Sequence, residues 1–581
     1  MKLISRLFIS GLCLTLFITA CAPRSVIISE TTLASDPQVN VTVPKLILSL
    51  PPSGSGLWID PSVPNPLRFA VQAWKLPPAR NANSAATIVT IVQPGPSDQS
   101  TWVYALVAPF PTITDEVSSY EIRSAWSGKP SKTFSGHPLL MDKPTLAAFT
   151  ALWGVPASGS VKSVPANQLL QKAWDEMPAW AIVPFEALDP KWKVLIVDGQ
   201  SPIHKDFDAS KYPLLAGFRV LSADSTLTLP ATNRDPSKMT TVLMTGVTAL
   251  VRATAKTMEL KGVTYPGRDI RDWMREADIA HVSNEIPFYT PCSPPNPSRT
   301  KLIFCSSPRY MELLTDVGTD VIELTGNHFG DYGPVAMLET LKIYKDNGIP
   351  YYGGGADLAD ARKPLTLEDH GNKIAFVGCN PVDVANFEVA APNRPGANPC
   401  DMKLQAAQIR DLRARGYTVI ATFQYYEYYS PDARPWQADD FRLMADSGAS
   451  IVSGSQAHFA QVMEFRNGGF IHYGLGNLFF DQMGDIPIQP GIRREFLDRH
   501  VIYNGRYIST ELLTAMLEDY ARPRPMTLEE RAGFLQEYFS FSGWLPSIPT
   551  PTPGPTMTLT PFTLPSGTSN GSPPQTATPI P

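Results

Sequence analysis

The sequence predicts an α/β fold in two parts, on three observations. Strand-like apolar runs alternate with helical patterns between about residues 44 and 235. A polar, turn-rich run, Ala231-Thr-Asn-Arg-Asp-Pro-Ser-Lys238, then precedes a second alternating series that opens with a strand at residues 240–245. Within that series, Leu324-Thr-Gly-Asn-His-Phe-Gly-Asp-Tyr-Gly333 follows a short β-branched strand at residues 317–324. This places Asn327, His328 and Asp331 at a strand's carboxyl end, where open α/β sheets build their sites.

In the first part, residues 86–92, 101–108 and 193–197 read as strands, and 143–153 and 166–176 as helices. Trp180 and Phe185 read as core aromatics rather than ligand-stacking rings. The run Ala179-Trp-Ala-Ile-Val-Pro-Phe-Glu-Ala-Leu188, with Lys193-Val-Leu-Ile-Val-Asp-Gly199 and Tyr212-Pro213-Leu214, resembles the end of a type 2 periplasmic solute-binding domain. In the second part, helices are expected at 335–347, 404–415 and 435–447. Strands are expected at 373–377, 418–423 and 450–453, with a last pair through 471–480. No repeat of fixed period is present.

A chain of 581 residues, 43% hydrophobic and 18% charged, is long enough for two or three domains with a sizeable core. The formal net charge of −5 and the lack of a dense Lys/Arg run give no reason to expect a nucleic-acid partner. Lys2 and Arg6 precede an apolar run from Leu7 to Ile18, and Ile18-Thr19-Ala20-Cys21 resembles a bacterial lipobox. Residues 1–20 are therefore expected to be a lipoprotein signal peptide, with Cys21 carrying the lipid (palmitate) that anchors the chain to the cell membrane outside the cytoplasm. A plain secretory signal leads to the same compartment. Residues 21–43 read as a linker, 44–235 as the first α/β domain, and 236–545 as the second with a carboxyl-terminal extension. Residues 546–581, rich in Pro and Thr, read as a disordered tail.

With Cys13 in the signal and Cys21 lipidated, Cys292, Cys305, Cys379 and Cys400 form an even set in an oxidising compartment. Three pairings are open. Cys292 with Cys305, and Cys379 with Cys400, are preferred because each closes one loop, and a zinc cluster competes without having paired C-x-x-C units.

An Asn oxygen can complete a metal's coordination without adding charge. A neighbouring His can move a proton or stabilise an oxyanion if a carboxylate such as Asp331 fixes its tautomer. A plain turn at Gly326-Asn327 with His328 at a helix start is the structural alternative.

From about Thr240 to Gln482 the ordered motifs resemble the CapA family of poly-γ-glutamate capsule proteins, whose fold is that of the calcineurin-like metallophosphatases. Family members open with Gly-Asp-Val-Met-Leu-Gly-Arg, and this chain has Gly246-Val-Thr-Ala-Leu-Val-Arg252. Asp-x-x-x-x-Asn-Leu-Glu appears as Asp278-Ile-Ala-His-Val-Ser-Asn-Glu285, and Asn-Asn-His-x-x-Asp-Tyr-Gly as Gly326-Asn-His-Phe-Gly-Asp-Tyr-Gly333. Thr340-Leu341 and the Gly353-Gly354-Gly355 loop follow. His-Trp-Gly-x-Glu-Tyr corresponds to Gln424-Tyr-Tyr-Glu-Tyr-Tyr429, and Gly-x-His-Pro-His to Gly454-Ser-Gln-Ala-His458. The closing Ser-Leu-Gly-Asn-Phe-x-Phe-Asp-Gln is Gly474-Leu-Gly-Asn-Leu-Phe-Phe-Asp-Gln482.

The resemblance implies a four-layer α/β/β/α sandwich, preceded by a smaller α/β domain of solute-binding type. It also implies two adjacent metals held by an Asp, a bridging carboxylate, an Asn and three His. Glu285, Asn327 and His458 stand at metal positions, while Val247, Gln424 and Gln456 replace an Asp and two His. Valine has no donor atom and a Gln oxygen is a weak ligand, so one weakly held divalent metal or none is expected. His328 and Asp331 stand as the catalytic pair, and Arg252, Glu427 and Asn477 as binding residues. Tyr425, Tyr426, Tyr428 and Tyr429 read as a stacking surface for sugar or peptide, or as packing. Asp269 and Asp278 are the carboxylates that would restore a metal site if they folded into it. The expected role lies in synthesis, export or attachment of a surface polymer, with the polymer or the capsule machinery as partner. A metal-dependent hydrolase or transferase, and a solute- or polymer-binding protein, are the alternatives.

The lipobox yields one direct prediction. Cys21→Ser is expected to release the protein from membranes or to stop its processing, because one thiol carries the anchor. Mass spectrometry of the mature amino terminus checks this, and an unmodified terminus other than Cys21 refutes it.

Overall fold

Both faces of the strands in the second part are covered, which is why they read as nearly continuous apolar runs. The computed structural model describes residues 54–298, 301–381, 389–483 and 490–546. The expected signal peptide, Cys21, the linker and all of the tail beyond Pro546 lie outside the described residues.

The first lobe is built on a mixed sheet in the order Leu57–Ile59, Thr87–Val92, Leu215–Ser222, Ser100–Pro109, Trp180–Pro184, Leu139–Met141 and Val161–Ser163. Helix Lys143–Trp153 has the predicted limits, because the Asp142 side chain caps the Thr145 N–H and Gly154 ends the helix in the left-handed region. Trp180 and Phe185 are both buried in this lobe's core. The polar run at 231–238 is fastened rather than loose. Asn233 exchanges hydrogen bonds with the Val103 backbone, and the buried Arg234 guanidinium donates to the carbonyls of Pro202 and His204.

The second lobe holds two sheets face to face. One runs in the order Tyr351–Tyr352, Val321–Glu323, Ile279–Asn284, Met239–Met244, Arg494–Tyr503, Arg506–Glu518 and Arg522–Pro525, with the first four strands parallel. The other runs Leu365–Asp369, Asn372–Cys379, Thr418–Gln424, Ile451–Ser455, Gly469–His472 and Met463–Arg466, with a parallel centre. Val242, Met244, Ile279 and Val321 point inward to meet Ile374, Phe376, Ile420 and Ile451. Their neighbours Leu243, Ala280 and Ile322 point outward beneath helices Arg252–Lys261, Met311–Asp316 and Gly333–Asp346. Ala375, Val419 and Val452 do the same beneath helices Met402–Ala414 and Pro435–Asp446. The result is the expected α/β/β/α layering.

The predicted strand at 317–324 is shorter, Val321–Glu323, because residues 311–316 form a helix that ends at Gly318. The long hairpin Arg494–Tyr503/Arg506–Glu518 is turned by Asn504 and Gly505, both at positive φ (50° and 74°).

The lobes share a core. Phe110 of the first lobe packs against Phe465, Phe470, Phe539 and Trp544 of the second. Beside it, Arg531 grips Asp115 with two hydrogen bonds of 2.7 and 2.9 Å, and Lys193 approaches the same carboxylate at 2.7 Å. Burial lowers Lys193 to about 8 even with that partner. The preferred cysteine pairing is the one present, Cys292–Cys305 and Cys379–Cys400.

Glu495 sits in the Arg494–Tyr503 strand, fully buried, with neither carboxyl oxygen hydrogen-bonded among the described residues. Burial pushes its pKa well above the ordinary carboxylate value, so the folded state keeps the proton that the unfolded chain releases. Its contribution to stability is therefore present below the unfolded value and is lost as pH rises toward the folded one. Glu495→Gln is expected to raise the melting temperature by a few degrees at pH 8 and by much less at pH 4, read by calorimetry. An equal effect at both pH values would contradict the assignment.

Candidate functional site

Parallel strands deliver the site residues from their carboxyl ends. Glu285 follows Ile279–Asn284, Asn327 and His328 follow Val321–Glu323, Gln424 ends Thr418–Gln424, and Gln456 and His458 follow Ile451–Ser455. Val247–Thr248 is a short strand between Ile279–Asn284 and Asn477–Phe479, and Val247 lies opposite Ser283 and Asn477. Two glycines allow the approach. A Cβ on Gly326 would lie 2.4 Å from the Glu285 carbonyl oxygen, and one on Gly246 would lie 2.1 Å from that of Gly476.

Gln424 Nε2 donates to Asn327 Oδ1 at 3.3 Å and also to Gln456 Oε1. His458 faces the Glu285 carboxylate, with 3.9 Å between Nε2 and Oε1, and its Nδ1 hydrogen-bonds Asn477 Oδ1 at 2.8 Å. With Nδ1 as the donor, Nε2 carries a lone pair directed toward Glu285. Gln456 and His458 hold the left-handed backbone at φ 70° and 52°, a strain on the order of 1–2 kcal/mol for each side chain with a Cβ. All these groups except the half-buried Asn327 are buried, and several polar atoms lack partners among the described residues: Glu285 Oε1, Gln424 Oε1, Asn477 Nδ2, Asn284 Oδ1 and Thr248 Oγ1.

This donor set does not fit a two-metal centre. Val247 is fully buried and donorless, Gln424 and Gln456 bring amides already bonded to each other, and one carboxylate and one imidazole remain. Neither carboxylate that would restore the set joins it. Asp278 stands before the amino end of Ile279–Asn284, roughly 20 Å along the strand from Glu285, and accepts from the Thr241 backbone and hydroxyl at 2.8 Å. Asp269 pairs with Arg268 and Arg522. Among the described residues, the one group of three His, Cys, Asp or Glu side chains spaced to share an ion is Asp278, Asp369 and His370, and Lys205 already sits 2.6 Å from Asp278.

His328 is half-buried and its Nδ1 lies 2.9 Å from Asp331 Oδ2, which also accepts the Phe304 N–H at 2.6 Å. The carboxylate thus holds Nδ1–H and fixes the imidazole's tautomer. The Phe304 ring packs on the imidazole at 4.8 Å, so the loop closed by Cys292–Cys305 forms one wall. Arg252 forms an ion pair with Asp481, which also accepts the Ala253 N–H at 2.9 Å and so caps helix Arg252–Lys261 from another segment. Glu427 is exposed and accepts from Tyr429 and Gln482.

Sequence reasoning missed the layer beneath the site. Buried His281 contacts the Tyr352 hydroxyl at 2.8 Å, Tyr352 contacts Thr422 at 2.8 Å, and Thr325 donates to Glu323 at 2.6 Å. Burial lowers His281 to about 3 and raises Glu323, so this layer is held away from charge. The only signal in sequence was polar residues at inward positions of apolar strands.

Residues 241–482 match the family model described as "Bacterial capsule synthesis protein PGA_cap". Similar relatives include the PGA biosynthesis protein CapA of Bacillus subtilis (strain 168), 31% identical over 30% of this chain and 45% of the relative. The capsule biosynthesis protein CapA of Bacillus anthracis is 25% identical over 44% of this chain and 62% of the relative. The chain thus spans less than two thirds of the length of either relative. Among solved structures, NAD nucleotidase of Haemophilus influenzae is similar at 9% identity (52% of this chain, 56% of that chain, TM-score 0.31). An ABC-type phosphate transport receptor from Vibrio cholerae is similar at 12% identity (28% of this chain, 74% of that chain, TM-score 0.22). The motif series and the strand-end cleft thus lie within the segment, residues 241–482, that is similar to the bacterial capsule synthesis proteins.

Proposed function

We propose that the chain is an extracytoplasmic lipoprotein acting in synthesis, export or attachment of a surface capsule polymer of the poly-γ-glutamate kind, and that its cleft binds the polymer or a partner of the capsule machinery without two-metal chemistry. The observation that carries this reading is the amide bridge. Gln424 donates to both Asn327 and Gln456, so the amides at three family metal positions are bonded to one another, and buried Val247 adds no donor. Hydrolysis that activates water between two ions needs most of its ligands present at once. The relatives are named for PGA and capsule biosynthesis, and the two disulfides suit an oxidising compartment. Lipid on Cys21 would hold the chain at the cell membrane.

A second reading is favoured by the orphaned Glu285 Oε1 facing the His458 lone pair. Here the protein is a metal-dependent hydrolase or transferase, with Glu285, Asn327 and His458 holding a single cation and His328 with Asp331 handling the proton.

Elemental analysis of the purified protein is expected to give far less than one transition metal per chain, with phosphoesterase activity near background. The combined Val247→Asp, Gln424→His and Gln456→His variant is expected to melt below wild type in chelator, because it buries an unpaired carboxylate, and to gain stability and occupancy on addition of zinc or manganese. Single reversions are expected to do much less. Stoichiometric, tightly held metal in wild type, with activity lost in His328→Ala, establishes the second reading and overturns the first.

A further inference from the structure

Immediately after Gln424 the chain leaves the sheet and lays out a run of tyrosines whose members have different fates. Tyr425 is buried and donates to Asp440 Oδ2 at 2.9 Å, which leaves Asp440 Oδ1 to accept from a ligand. Tyr426 is 42% exposed, and Trp436, in the first turn of helix Pro435–Asp446, is 49% exposed. Both rings line a groove of about 350 Å³ whose other walls are Pro381, Tyr425, Arg434 and Asp440. The Arg434 guanidinium lies 4.3 Å from the Tyr428 ring centre and 5.4 Å from that of Trp436, and among the described residues it has no carboxylate partner. Its Nε, sheltered from water, has no hydrogen-bond acceptor among the described residues. Two half-exposed aromatic rings, an unpaired cation and a carboxylate oxygen therefore share one small groove.

We propose that this groove binds a pyranose unit of a glycan. A pyranose ring offers a face of C–H groups to an aromatic ring and a rim of hydroxyls to charged and amide partners. Tyr426 and Trp436 would take the faces, while Asp440 and Arg434 would take the rim. An extended peptide is the weaker match. The adjacent Thr418–Gln424 strand is paired on both sides, by Asn372–Cys379 and Ile451–Ser455, so no free edge is available for strand addition. Glycan binding here stands whether or not the neighbouring cleft acts on a polymer. Because Gln424 joins the two directly in sequence, a glycan in the groove would lie beside the Asn327–Gln424–Gln456 bridge.

Calorimetric titration of the full chain with chitotetraose, maltotetraose, tetragalacturonate and a γ-linked glutamate tetrapeptide tests the proposal. Saturable binding of at least one oligosaccharide is expected, weakened about tenfold in Trp436→Ala and in Tyr426→Ala and by much less in Trp436→Phe. Both truncated positions are half-exposed, and unchanged thermal melting confirms that the variants fold. Preference for tetragalacturonate, lost in Arg434→Gln, identifies an acidic sugar, whereas preference for a neutral tetramer identifies a neutral one. Binding of no oligosaccharide, equal binding by wild type and both alanine variants, or Trp436-dependent binding of the tetrapeptide alone overturns the proposal.

Discussion

The near contact of backbone at Gly326 and Glu285 is what the rest of the cleft depends on. A missing methyl group lets the loop after one parallel strand lie directly on the end of the next, with no room for a Cβ. Asn327 is thereby held close enough to the second sheet to accept from Gln424, although the two residues come from different sheets. The same principle operates at Gly246 against Gly476, which seats Val247 beside Asn477 and so beside His458. The backbone brings these positions together independently of the side chains they carry. The glycines are needed for the geometry whether or not a metal is.

Beneath this edge the sheets are not joined by hydrocarbon alone. His281, Tyr352, Thr422, Glu323 and Thr325 sit between them, and His472 and Asp498 form a second buried pair at 2.6 Å. Buried polar groups of this kind fix register more sharply than apolar side chains, which tolerate sliding, because each must meet a particular partner. Burial also disfavours charge on His281 and Glu323, so the layer costs less than ion pairs at the same depth would. The conformational burden is instead carried at the rim, in the left-handed backbone of Gln456 and His458.

Much of this was legible in the sequence, for identifiable reasons. Helix Lys143–Trp153 announced itself by Asp142 before it and Gly154 after it. The buried parallel strands announced themselves as apolar runs, and the motif order located the strand ends. The Arg494–Tyr503 and Arg506–Glu518 hairpin was missed because Arg494, Glu495, Asp498, Arg499 and His500 interrupt its apolar pattern. The Asn504-Gly505 turn was a usable signal for it. The amide bridge was illegible for another reason. Gln424 is separated by 97 residues from Asn327 and by 32 from Gln456, and spacing along a chain does not say which strand ends meet. Asp481 was visible within its motif, but its role as a cap for a distant helix depends on tertiary packing.

The strand Arg494–Tyr503 has a consequence for how the molecule is assembled. Its residues 498–503 pair with the whole of Met239–Met244, from Met239 opposite Tyr503 to Met244 opposite Asp498, joining the first strand of the lobe to nearly its last. Pairings between such distant segments form late, because the loop between them must be ordered first. Until then the Met239–Met244 edge stands open to other chains. A polypeptide cut at residue 482, where the family similarity ends, would keep every residue of the cleft and lose the strand that closes the sheet supporting it.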